Sequence, residues 1–182
     1  MVEPMAHVFN HCESNPYGAT SIHNAVLQIF GDFLIKNNYN VDIDKAALGM
    51  GVKLRPDLTI RIKTNNLKNV SYTYLVDLKI PFDDLDNLSR NTKDNLNKYT
   101  DLANQISSKY RHTASVHTIN VGCLGSWDIN NDAVLRNIGL NNEKIKELAN
   151  LLIISAIKES YKLFRSHIAK EPKPAYSKNA TQ

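Results

Sequence analysis

Two stretches decide the fold, LTIRIK at 58–63 and VSYTYLVDLKI at 70–80. Both alternate apolar with polar residues, the period of a half-buried strand, and the polar TNNLKN between them reads as a turn; together they predict a β-hairpin. Alternate side chains of a strand share a face. Leu58, Ile60 and Ile62 therefore join Val70, Tyr72, Tyr74, Val76, Leu78 and Ile80 on an apolar face for the core. Asp57, Thr59, Arg61 and Lys63 join Ser71, Thr73, Leu75, Asp77 and Lys79 on a polar face with another use. If the hairpin turns about Leu67, Asp57 lies opposite Asp77. Directly opposed residues bring their Cβ atoms to about 4.5–5.5 Å, where two carboxylates repel unless a cation sits between them. Lys79 projects beside them. Two carboxylates and a lysine on one sheet face suit Mg²⁺, which takes oxygen ligands, acidifies a water and offsets charge on a phosphate. The plain alternative is a solvated polar face with balanced charge, because a turn of this length fixes register loosely.

Outward from the hairpin the pattern turns helical on both sides. Ile22, Val26, Ile29, Phe30 and Phe33 recur at helical spacing, with Thr20 or Ser21 as N-cap and Asn37–Asn38 as the stop. A linking stretch then runs to Gly49 and Gly51. Beyond Pro81 the chain is polar, and a helix is expected from about 92 to 109 with Leu96, Tyr99, Leu102, Ala103 and Ile106 as its stripe. SVHTINVGC at 115–123 reads as a third strand, closed by a turn at Gly122 and Gly125. A short helix starts near Asn131 and stops before Gly139. The last helix, 142–168, carries Ile145, Leu148, Leu152, Ala156 and Leu163 on one stripe and Leu151, Ile154 and Tyr161 on a second, which predicts substantial burial. This order describes an α/β fold with a mixed central sheet flanked by helices.

Composition bounds the function. The chain has 182 residues, 42% hydrophobic and 22% charged, which suits one ordinary globular domain and excludes collagenous or mainly disordered classes. Cys12 and Cys123 cannot build a disulfide framework, so a reducing compartment is expected. Neither a signal peptide nor a membrane span is expected. Twenty-two Lys and Arg against 18 Asp and Glu give a net charge of +4, which permits a polyanionic partner without demanding one. No glycine loop or dinucleotide fingerprint points to a nucleotide cofactor.

RPD at 55–57 followed by DLK at 77–79 resembles the signature of the PD-(D/E)xK superfamily of restriction-like nucleases. The wider string HVFNHC, SIHN, RPDLTI, YLVDLKIPFDD, NKYTDL and VGCLGSWDINNDAVLRNIGL resembles one branch over residues 5–168. That branch is the restriction-like endonuclease domain at the C-terminal end of site-specific non-LTR retrotransposon polyproteins. The resemblance implies a PD-(D/E)xK restriction-endonuclease-like core at 19–168, between a zinc-knuckle remnant or linker at 1–18 and a flexible tail at 169–182. It implies a DNA endonuclease using Mg²⁺ or Mn²⁺, which acts in the nucleus beside the reverse transcriptase of the same polyprotein. The nicked target DNA then primes reverse transcription. Asp57 and Asp77 match the metal-binding acids. The functional lysine is Lys79 at the general superfamily position or Lys98 in the K-Y pair of the following helix; strand geometry favours Lys79. His23, Asn24 and Tyr99 match accessory positions, with Asn24 standing where many relatives have a carboxylate and a merely packed side chain the alternative for His23.

His7 and Cys12 have the spacing of half a CCHC zinc knuckle. No cysteine precedes His7 here, so no tightly bound zinc is expected. Lys53, Arg55, Arg61 and Lys68 around the hairpin, with Lys109 and Arg111 at a helix end, are candidate phosphate contacts, solvated charge being the alternative. Cys123 reads as a small buried residue and Trp127 as a packing anchor or a stacking surface. An isolated domain of this kind is expected to be monomeric. Two other functions fit the residues less completely: a nucleic-acid-binding module idle as a nuclease, and a stand-alone restriction or resolvase-type nuclease.

Overall fold

A computed structural model describes residues 18–46, 54–63, 71–83 and 85–170. Helix α1 (Gly18–Lys36) is followed by strands β1 (Asn40–Ile43), β2 (Leu58–Lys63) and β3 (Ser71–Lys79), then by helix α2 (Leu85–Tyr110). Strand β4 (Thr113–Asn120) and helices α3 (Asn130–Ile138) and α4 (Asn142–Lys170) complete the order. The sheet runs β1-β2-β3-β4, antiparallel except for the parallel β3–β4 pair, so it is mixed as expected. Helix α2 is the crossover that a parallel pair requires.

The register has the expected centre. Leu58 pairs with Val76 and Lys63 with Ser71, a register centred on position 67. Helix α1 stops where the asparagine pair predicts. Asn38 takes the left-handed conformation (φ 65), its N–H donates to Ile35 O, and the Tyr39 N–H donates to Leu34 O. That is the hydrogen-bond pattern of a Schellman cap, with asparagine where glycine is commonest. The turn delivers the chain into β1. Gly31 makes the approach possible, because a Cβ there would collide with the Ile43 side chain.

Several expectations change. Helix α1 begins at Gly18, so Thr20 and Ser21 lie inside it rather than at its N-cap. Strand β1 lies where a linker was expected. Helix α2 starts at Leu85 rather than near 92, its first turns being too polar to show an apolar stripe. Strand β4 occupies 113–120, after which Val121 leaves the ladder to bridge with Trp127. Two further changes concern the helices. The supposed polar face of the hairpin lies under α2, where Leu75 packs with Tyr99, Leu102, Ala103 and Ile106, and Thr59 and Thr73 are buried as well. On α4 the first stripe is buried as expected, but Leu151, Ile154 and Tyr161 of the second are 42%, 49% and 61% exposed. No element within the described residues covers them.

The main core lies on the opposite face of the sheet. Ile22, Val26, Phe30 and Leu34 of α1, Leu135 and Ile138 of α3, and Leu148, Leu152 and Ala156 of α4 close over Leu58, Ile60, Val76, Leu78 and Ile119. The result is three layers, with the sheet between α2 on one side and α1, α3 and α4 on the other.

Candidate active site

The acidic residues meet at one end of the hairpin. Asp57 immediately precedes Leu58, and Asp77 immediately follows Val76, the partner of Leu58; the register thus carries the two acids opposite each other, one step past the β2–β3 ladder. Asp57 is tied down through its backbone, since its carbonyl accepts the Asp44 N–H at 2.8 Å. Asp77 lies within β3, flanked on its other side by Thr118 of β4, and is only 3% exposed.

Burying a carboxylate so completely costs free energy unless charge or hydrogen bonds offset it. Lys79, two residues along the same face, puts Nζ 2.7 Å from Asp77 Oδ2. This is a charge contact rather than an aligned hydrogen bond, and among the described residues Oδ2 has no hydrogen-bond partner. The Lys79 side chain is 35% exposed, so its ammonium spans from the buried acid to solvent.

Helix α1 supplies the other wall. His23 Nε2 lies 3.2 Å from both Asp57 Oδ2 and Leu78 O, while Nδ1 faces Asn24 Oδ1 at 3.3 Å. The hydrogen bond to Asp57 raises the His23 pKa above the usual imidazole value, although burial opposes the shift. With acceptors at both ring nitrogens, the doubly protonated imidazolium satisfies all three contacts. The Leu78 N–H also donates to Asp57 Oδ2 at 2.7 Å. Asp57 therefore holds a fixed orientation, with no hydrogen bond to Oδ1 among the described residues.

Tyr99 of α2 roofs the pair. It is 1% exposed and its hydroxyl donates to Arg55 O at 2.9 Å, which anchors the residue two before Asp57. Burial first, then the negative charges of Asp77 and Asp57, push the phenol pKa well up, so the hydroxyl stays protonated. Lys98 is exposed and stands over the Tyr99 ring, Nζ 4.6 Å from its centre. Of the two candidate lysines, Lys79 is the one the structure puts in contact with an acid.

The remaining candidates are dispersed. Arg55 is exposed next to the site, whereas Arg61 is paired with Asp42 of β1 at 2.7 Å. Lys109 stacks over Tyr110 at the far end of α2, and Arg111 is exposed with φ 52. Lys53, Lys68, His7 and Cys12 lie outside the described residues. Asn24 is exposed, with its Oδ1 3.3 Å from His23 Nδ1. Trp127 acts as an anchor, donating through Nε1 to Asp132 at 2.9 Å and packing on the main core. Cys123 is buried, and desolvation pushes its thiol up to about 12, which suits packing rather than nucleophilic attack. The Leu78 carbonyl, central to this geometry, is a backbone atom for which no residue type gives a signal.

The donor set suits a hard divalent cation in its chemistry: the Asp57 and Asp77 carboxylates and the Leu78 carbonyl, with Asp77 Oδ2 in contact with Lys79 but without a hydrogen-bond partner among the described residues. Among the described residues, no group of three or more His, Cys, Asp or Glu side chains is arranged to hold a metal ion. Among the same residues, no helix is long and apolar enough to cross a membrane. No protein-family model matches the chain, and no curated protein matches it.

Proposed function

We propose that this chain is a divalent-metal-dependent DNA endonuclease with a PD-(D/E)xK-like core, acting as one domain of a non-LTR retrotransposon protein. The observation that carries the reading is the opposition of Asp57 and Asp77 at the end of the hairpin, with Lys79 in contact with the buried acid. Asp57 and Asp77 would hold Mg²⁺ or Mn²⁺, with the Leu78 carbonyl available as a third oxygen. The cation supplies an acidified water and charge neutralisation at the phosphate.

The chain's own groups do the rest. His23 and the Leu78 N–H fix the Asp57 carboxylate. Tyr99 covers Asp77 on the α2 side and keeps water from that face. The Lys79 ammonium, half in solvent, donates hydrogen bonds from Nζ to a phosphate oxygen or to the attacking water and so stabilises the charge that develops. Water oxygen bonds to phosphorus as the bond from phosphorus to the 3′ oxygen breaks, leaving a 5′-phosphate and a 3′-hydroxyl. In the parent protein that hydroxyl primes reverse transcription in the nucleus. Arg55, exposed beside the site, suits contact with the flanking phosphate.

The test is nicking of supercoiled plasmid and single-stranded DNA in Mg²⁺, Mn²⁺ or EDTA. The expected result is metal-dependent nicking that Asp77→Ala and Lys79→Ala abolish and Lys98→Ala only weakens. A second reading, a DNA-binding module that does not cut, is favoured by one observation: among the described residues no third acidic side chain joins Asp57 and Asp77, and exposed Asn24 stands beside His23. Salt-sensitive binding without nicking in either metal would establish that reading.

A further inference from the structure

A cavity of about 470 Å³ opens at the other end of β2, remote from the carboxylates. It is lined by Asn37, Asn38 and Tyr39 of the α1–β1 turn, by Asn40 of β1 and by Arg61, Ile62 and Lys63 of β2. We infer that this cavity binds one unstacked nucleotide of a single-stranded nucleic acid, with the amides at the base edge and Lys63 at the phosphate.

The lining combines what such a ligand needs. Tyr39 and Ile62 pack against the main core and give the cavity an apolar side for a base. Asn37 spends its amide on Phe33 O at 2.8 Å, but the side chains of Asn38 and Asn40 bond to no other described residue. Paired amide donors and acceptors match the edges of bases. Lys63 is exposed and pairs with no carboxylate among the described residues, while Arg61 leans on Asp42 and keeps part of its surface in solvent. Unspent amides, an apolar wall and a free cation fit a nucleotide better than an acidic peptide, which has no use for the amides. The size falls in the range of small-ligand sites, about 300–1,000 Å³.

Position adds to the argument. Ile62 lies five steps along the strand from Asp57, which is about 16 Å at strand rise. A strand held at the cavity would reach the acids within a few nucleotides. The choice of nucleic acid over another anion rests on the nuclease reading, but the cavity binds independently of cleavage.

The experiment uses the full chain in EDTA, where no metal-dependent cutting occurs, and follows fluorescence anisotropy of a labelled twelve-nucleotide single strand. Asn38→Gly removes one amide yet keeps the left-handed backbone, and should weaken binding about threefold to tenfold, the worth of one net hydrogen bond. Lys63→Ala should reduce the salt slope by about 0.7 for one lost phosphate contact, and Lys63→Arg should restore it. Circular dichroism verifies that both exposed-site variants stay folded. The corresponding duplex should bind with the same affinity to wild type and to Asn38→Gly. Unchanged single-strand binding in both variants would overturn the proposal, and so would equal competition by a poly-glutamate peptide. Amide-dependent binding without nicking in Mg²⁺ would keep the cavity and remove the nuclease.

Discussion

The two faces of the sheet are built differently, and the candidate site follows the difference. Under α1, α3 and α4 the sheet presents Leu58, Ile60, Val76, Leu78 and Ile119, every one of them fully buried. Under α2 it presents Leu75 together with buried Thr59, Thr73 and Asp77. Three helices thus seal an apolar core, while one helix covers a face that mixes apolar and polar side chains. A charge in the first face would sit among hydrocarbon with no partner. In the second it lies at the margin of a small cluster, where Lys79 reaches it from solvent. The buried Asp77 occupies the face that can hold a carboxylate, while His23 reaches Asp57 from the α1 side at the sheet's end.

The largest effects should separate the faces directly. Leu148 and Leu102 are almost equally buried, one on each side of the sheet. Leu148→Ala should cost about 4 kcal/mol and Leu102→Ala about 2.5, because a single covering helix can settle into the space left behind. Urea melts of both variants check this, and equal losses would break the comparison. Next comes Asp77→Asn. It removes a buried charge whose partner is partly solvated, so stability should change by less than about 1 kcal/mol while nicking disappears. A large loss of stability would make Asp77 a structural residue.

Smaller effects sharpen the picture of the apolar face near its open end. His117 packs its ring 5.6 Å from that of Tyr74 and meets Ser115 Oγ at 2.9 Å. Burial lowers its pKa below the ordinary 6.5. The unfolded chain therefore takes up the proton first as pH falls below 6.5, and native stability declines until the folded pKa is passed. Melting temperature measured from pH 8 to pH 5 should fall less steeply in His117→Gln. Smallest of all, Cys123 should resist a thiol reagent at pH 8 until denaturant is added, as peptide mapping of the labelled chain can show.

Much of this was legible in the sequence. The alternation in LTIRIK and VSYTYLVDLKI gave both strands, and the centred turn placed Asp57 opposite Asp77 with Lys79 beside them. Strand β1 was illegible because NVDI is four residues long and half polar, and it is a strand only because β2 lends it a ladder. The burial of the α2 face was hidden too, since Thr59 and Thr73 read as polar on any scale and only a covering helix makes them interior. On α4 the error ran the other way: an apolar stripe predicts burial, yet Ile154 and Tyr161 face solvent. The site showed the same limit. Residue types pointed to the acids and to two lysines, with strand geometry favouring Lys79, but the contact of Lys79 with Asp77 and the grip of His23 on Asp57 and the Leu78 carbonyl needed three dimensions.

The central claim is that Asp57 and Asp77 together hold a divalent cation. Electron paramagnetic resonance of a Mn²⁺ titration tests it without relying on DNA or turnover, because the free-ion signal falls as the metal binds. The account predicts saturable Mn²⁺ binding that Mg²⁺ displaces and that Asp57→Asn and Asp77→Asn each abolish. Equal Mn²⁺ binding by wild type and both variants, or none by wild type, would contradict it.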